Sequence, residues 1–114
     1  NYSRHPYRRI DLLLGVAYQS RIAEVKNVIQ NVVDKESRID KSRGTTVRLI
    51  ELGPSTLNFT VRVWVKNVEY WDTYFDLLET IKESLDEHNI VLPGPRMDIQ
   101  LVNSSQQALI QRAS

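Results

Sequence analysis

The sequence predicts an α+β domain in which one antiparallel sheet is covered by two helices. Three observations predict it. Residues 57–65 (Leu-Asn-Phe-Thr-Val-Arg-Val-Trp-Val) put Leu57, Phe59, Val61, Val63 and Val65 on one face of a strand and Asn58, Thr60, Arg62 and Trp64 on the other. A period-two run this dense in β-branched and aromatic residues suits a pleated strand with one buried face. Two amphipathic stretches, one on each side of it in sequence, carry apolar residues at spacings of three and four and can cover that face.

Taken in order, residues 1–9 read as a solvated connector. Pro6 holds His5 extended, and Arg4, Arg8 and Arg9 keep the segment in water. Residues 9–18 form the first strand, with Ile10, Leu12, Leu14 and Val16 on one face. Leu13 interrupts the alternation, which suits a strand inside the sheet. Ser20 is placed as the N-cap of a helix over residues 21–35, whose buried stripe is Ile22, Val25, Ile29 and Val32. The mixed charges of residues 34–43, ending at Gly44, read as an exposed loop.

Residues 45–52 form a second strand, and Gly53-Pro54-Ser55 turns it into the strand at 57–65. Asn67 is placed as the cap of a second helix over residues 70–88. Its apolar positions are Tyr70, Trp71, Tyr74, Leu77, Leu78, Ile81 and Leu85. Asn89 can take the left-handed conformation that ends a helix. Pro93-Gly94-Pro95 breaks the chain, and residues 96–102 form a last strand with Met97, Ile99 and Leu101 on one face. The tail from Asn103 has no convincing stripe and is expected to be flexible. The order β-α-β-β-α-β specifies a ferredoxin-like sandwich, a four-stranded antiparallel sheet with both helices on one face.

Composition excludes several function classes. The 114 residues are 41% hydrophobic and 25% charged, with a formal net charge of +1 and no cysteine. That is ordinary for one globular domain and offers no basic footprint for nucleic acid, no disulfide framework and no thiolate metal site. No run is long enough to span a bilayer, and no signal peptide is visible. The chain begins without methionine, and it is expected to be a soluble piece of something larger.

Catalytic and metal chemistry find little support. The two histidines, His5 and His88, lie on a connector and at a helix end; the four glycines are scattered, so neither a dinucleotide nor a phosphate loop is present. His88 fits a favourable contact with the negative end of its helix. Asp72, Asp76, Glu79 and Glu83 read as a solvated helix face. An RNA-binding sheet needs exposed aromatics beside basic groups, and the outer face offers only Trp64 beside Arg62. The Asn-x-Ser/Thr triplets at Asn1, Asn58 and Asn103 read as chance, Asn58 being inside a strand. No catalytic, cofactor-binding or metal residue is assigned, and no enzyme activity or cofactor is expected.

Several stretches together carry a family resemblance. They are Asn1-Tyr2-Ser3-Arg4-His5-Pro6-Tyr7-Arg8-Arg9, Gly15-Val16-Ala17-Tyr18, Thr46-Val47-Arg48-Leu49, Val61-Arg62-Val63-Trp64, Tyr74-Phe75-Asp76-Leu77-Leu78-Glu79 and Pro93-Gly94-Pro95-Arg96-Met97-Asp98. Their order and spacing resemble the C-terminal cytoplasmic region of the bacterial small-conductance mechanosensitive channel (MscS) family. The likeness runs over residues 1–102. It implies a homoheptameric inner-membrane channel that opens under tension and releases solutes in hypo-osmotic shock. It further implies a hollow cytoplasmic vestibule built from a β-rich middle domain and an α/β domain. On that analogy residues 1–8 link from the middle domain, residues 9–102 are the α/β domain and residues 103–114 are a tail. Residues 96–102 would lead into a small barrel of one strand per subunit. The transmembrane helices, the glycine- and alanine-rich pore helix and most of the middle domain have no counterpart in these residues, so no pore residue is carried over. The partners implied are identical subunits, with no nucleic acid, and with the membrane reached only through upstream helices. The piece by itself is expected to be monomeric or weakly associating. The alternative reading is a stand-alone ferredoxin-like regulatory domain that binds a small molecule or a protein partner.

Overall fold

The structure, a computed structural model, describes residues 5–93. It contains β1 (Tyr7–Ala17), α1 (Ile22–Lys35), β2 (Thr46–Leu52), β3 (Thr56–Lys66) and α2 (Tyr70–Glu87), with short 3-10 turns at Lys41–Arg43 and Asn67–Glu69. The three strands form one antiparallel sheet in the order β1-β3-β2. The strand expected over residues 96–102, and with it a fourth position in the sheet, lies outside the described residues.

β3 is the middle strand, as its alternation required. Phe59, Val61, Val63 and Val65 are fully buried and Leu57 nearly so. On β1, Ile10, Leu12 and Val16 meet them in register, Ile10 opposite Val63 and Leu12 opposite Val61. Both helices cover this face. α1 contributes Val25, Val28, Ile29, Val32 and Val33, and α2 contributes Leu77, Ile81 and Leu85. These side chains form one continuous core, which is where the hydrophobic stabilisation of the domain resides.

Helix α2 stops as its sequence specifies. Asn89 sits at φ 59°, the Ile90 N–H donates to the Leu85 carbonyl at 2.9 Å and the Asn89 N–H to the Asp86 carbonyl at 3.0 Å. That pair of bonds is the Schellman closure, and the burial of both Ile90 and Leu85 supplies its hydrophobic contact. The chain then returns to β1, where the Ala17 N–H donates to the Val91 carbonyl at 2.9 Å.

Several expectations are corrected. β1 starts at Tyr7, within the stretch read as a connector. Leu13 is exposed, and β1 is an edge strand among the described residues. Its cross-strand partner Thr60 is instead the buried one, covered between Leu13 and Arg48 on the outer face. The α1 cap is Arg21 rather than Ser20, with no side-chain cap bond, and Ile22 is exposed. Asn67 opens a 3-10 turn whose backbone N–H bonds the Pro6 carbonyl at 2.7 Å, and α2 is preceded directly by Glu69. A bulge between Leu49 and Glu51 leaves Ile50 on the surface. The charged stretch 34–43 is not simply an exposed loop, since Ile39 is buried and bridges to Val65.

Candidate functional site

The residues weighed for chemistry do not converge. Among the described residues no group of three or more histidine, aspartate, glutamate or cysteine side chains could hold a metal ion. His5 lies beside the start of α2, since neighbouring Pro6 bonds Asn67, while His88 closes the far end of that 18-residue helix. At 1.5 Å per residue the two are separated by about 27 Å. His88 Nδ1 lies 2.9 Å from the Ser84 carbonyl, as a helix-terminal histidine can. The outer-face Trp64 is half-buried, with the Arg43 guanidinium 5.9 Å from its ring and 3.8 Å from that of Tyr7. Asn58 is held by local bonds, donating to Glu51 at 2.7 Å and accepting from Thr56 at 2.8 Å.

What the structure brings together is a charged clasp. Arg38 donates to Glu36 through its backbone N–H (2.9 Å), Nε (2.7 Å) and Nη2 (2.9 Å), and Nη2 also reaches Asp76 on α2 at 3.0 Å. The Arg38 hydrogen bonds hold the Glu36 carboxyl below its ordinary value against the opposing effect of partial burial. The same bonds push the Arg38 guanidinium up. Two residues on, the Asp40 N–H donates to the Trp64 carbonyl at 2.8 Å. The Asp40 carboxylate accepts from the Ser42 N–H and hydroxyl and from Arg43, and the Ser42 hydroxyl bond is the main reason it too lies low. The clasp fastens the loop after α1 to both α2 and the sheet. Its signal in sequence is weak, because a cluster of mixed charges looks the same whether it is paired at long range or merely solvated.

The second feature is an aromatic surface on α2. Tyr70 and Tyr74 pack against the core, and the Arg8 guanidinium stands 3.6 Å above the Tyr70 ring. Trp71 and Phe75 stack at 5.7 Å, with Trp71 56% and Phe75 54% exposed. Leu78 and Val68 continue the exposed stripe. Trp71 and Leu78 therefore do not belong to the buried face that the spacing suggested. The sheet and α1 take the face of Thr73, Leu77, Ile81 and Leu85, and the helix is too broad for both flanks to be covered. The groove between α1 and α2 is open to solvent and mixed in character, with Val32 and Leu77 beside Asn31, Lys35, Thr80 and Ser84. The arrangement suits contact with another macromolecular surface better than enclosure of a substrate.

Comparison with known proteins gives the family. Residues 10–92 match the family model described as the C-terminal region of the mechanosensitive ion channel MscS. The chain is 50% identical over 101 residues to a small-conductance mechanosensitive channel of Edwardsiella ictaluri, covering 89% of this chain and 35% of that protein. It is 38% identical over 97 residues to a protein of the same name from Helicobacter pylori, covering 84% of this chain and 35% of that protein. The chain thus spans about a third of the length of these relatives. The crystal structure of Helicobacter pylori MscS in its closed state superimposes with a TM-score of 0.75 at 37% identity, over 87% of this chain and 40% of that one. Arabidopsis thaliana MSL1 shares the fold, with a TM-score of 0.69 at 16% identity over 81% of this chain and 35% of that one. The chain belongs to the MscS family of mechanosensitive ion channels.

Proposed function

We propose that this chain is the cytoplasmic vestibule domain of a bacterial inner-membrane channel that opens under tension and releases solutes in hypo-osmotic shock. Its own part is structural, holding identical subunits together, with no catalytic step. The observation that carries the reading is the match of residues 10–92 to the MscS C-terminal region, supported by relatives about three times as long that are named as channels. No helix among the described residues is long and apolar enough to cross a membrane, so on this reading conduction belongs to other parts of the protein.

On the same reading the residues before Tyr7 join a preceding β-rich domain, residues 7–102 form the α/β domain and residues 103–114 are a tail. At the end of that domain, after Pro93-Gly94-Pro95, residues 96–102 lead into one strand of a ring closed by seven copies, since a single strand cannot close a barrel. Light scattering tests this on the full-length protein in detergent and on residues 1–114. A heptamer for the former and a monomer or weak associate for the latter is expected. A full-length protein that stays monomeric, or that fails to protect channel-deficient cells from osmotic downshock, would end the reading.

A further inference from the structure

We propose that the cleft between the start of β1, the loop after α1 and the turn before α2 binds a free α-amino acid as its zwitterion. Lys66 takes the carboxylate and Glu69 the ammonium. The inference stands on this chain's own side chains and is independent of the channel reading above.

The first argument is shape. The cleft has a volume of about 320 Å³, and its lining is mostly polar, from Tyr7, Ser37, Arg38, Asp40, Lys66 and Glu69. That volume is at the small end of the range of about 300–1,000 Å³ for small-molecule sites. The walls come from segments distant in sequence and are held by the fold. The Asp40 N–H bond to the Trp64 carbonyl (2.8 Å) and the Ile39–Val65 bridge tie the loop to β3. The Asn67 N–H bond to the Pro6 carbonyl (2.7 Å) ties the turn to the start of β1. Tyr7 lies opposite Lys66 in the sheet, with the Arg43 guanidinium 3.8 Å from its ring. The cleft therefore exists before any ligand arrives, and it holds a solute without enclosing it.

The second argument is charge. Two cations, Arg38 and Lys66, face two carboxylates, Asp40 and Glu69, across the cleft. Arg38 is engaged by Glu36 and Asp76, and Asp40 by Ser42 and Arg43. Lys66 and Glu69 make no hydrogen bond or ion pair among the described residues, with each other or with any other group. They flank one 3-10 turn, Lys66 just before it and Glu69 its last residue. One uncommitted cation and one uncommitted carboxylate on a single cleft match a ligand that carries both charges. A simple anion would meet Glu69 and Asp40, and a simple cation would meet Lys66 and Arg38, so each is opposed by half the lining. Only three residues separate Lys66 from Glu69, which suits the closely spaced charges of an α-amino acid. The Ser37 and Tyr7 hydroxyls can donate further bonds to its carboxylate.

Exposure sets the strength. Lys66 is exposed and Glu69 half-buried, so water and salt screen both contacts. The affinity is accordingly millimolar, and the site answers to a solute present at that concentration.

The test is an amide chemical-shift titration of the isotope-labelled 114-residue chain with glycine, acetate, methylammonium and sodium chloride in turn. Glycine is expected to move the amides of residues 37–40 and 66–69 to saturation at millimolar concentration. The other three probes are expected to move them less at equal concentration. Lys66→Met and Glu69→Gln are each expected to weaken glycine binding about two- to fivefold, with the rest of the spectrum in place because neither side chain bonds within the fold. Glycine that leaves these amides unmoved up to tens of millimolar overturns the proposal. A response matched by acetate or methylammonium alone also overturns it, in favour of simple charge screening, as does undiminished binding in both variants. The comparison of the four probes on the unaltered chain decides the matter even where a variant loses its dispersed spectrum.

Discussion

Arg38 and Asp76 are 38 residues apart in sequence, yet their side chains meet at 3.0 Å, closing the loop after α1 onto α2. The same guanidinium clamps Glu36 at 2.7 Å. Asp76 is largely exposed, so its pairing belongs to the weak surface class, while Glu36 is better shielded. Replacing Asp76 by alanine is expected to cost about 0.5 kcal/mol and Arg38→Met about 1 kcal/mol or more. Urea midpoints of both variants check the order.

The clasp also sets an acid response. Glu36 lies below its ordinary value of 4.5 when folded, chiefly through the Arg38 hydrogen bond, so the folded state binds its proton less readily than the unfolded one. The resulting stability is fully present above the unfolded value and is lost as pH falls through the lower folded value. Arg38→Met is expected to flatten this acid limb. Parallel denaturation series from neutral pH to below pH 4.5 measure it; superimposable acid limbs in the two proteins would show that the pair does not couple to folding.

Phe59 is the largest fully buried side chain among the described residues and lies on the middle strand. Phe59→Ala is expected to cost about 3–5 kcal/mol, enough to remove much of the stability of a domain this size. Arg62→Ala, on the outer face of the same strand, is expected to change stability by less than about 0.5 kcal/mol. Equal midpoints for the two would place the core elsewhere.

Thr73 is fully buried on α2, and its hydroxyl has no hydrogen-bond partner among the described residues. Valine has the same shape without the unmet polar group. Thr73→Val is expected to stabilise the chain by about 1 kcal/mol. A loss of stability instead would show that this hydroxyl is hydrogen-bonded in the protein.

Asn89 closes α2 at a positive φ of 59°. Asn89→Gly is expected to be neutral or slightly stabilising because it removes the Cβ, and Asn89→Ala to cost about 1 kcal/mol because alanine keeps the Cβ and loses the short polar side chain that lets asparagine tolerate that region. Amide exchange at Ile90, whose N–H completes the closure, reports the difference.

The sequence by itself determined what local periodicity and local chemistry can determine. Alternation over residues 57–65 named the middle strand and its buried face, spacings of three and four placed both helices, and Asn89 marked the end of α2. The family followed from stretches spaced along the whole chain. Tertiary structure decided the rest, because a period defines a face but not its partner. Trp71 and Leu77 both lie on the apolar side of one amphipathic helix, and only the positions of β1, β3 and α1 bury Leu77 while leaving Trp71 in solvent. Ile39 sits in a run of charges that reads as solvated, and it is buried because the loop returns to pair with Val65. Arg38 had charges on both sides to choose from, and the fold brought it Asp76 from a helix whose distance along the chain no local pattern encodes.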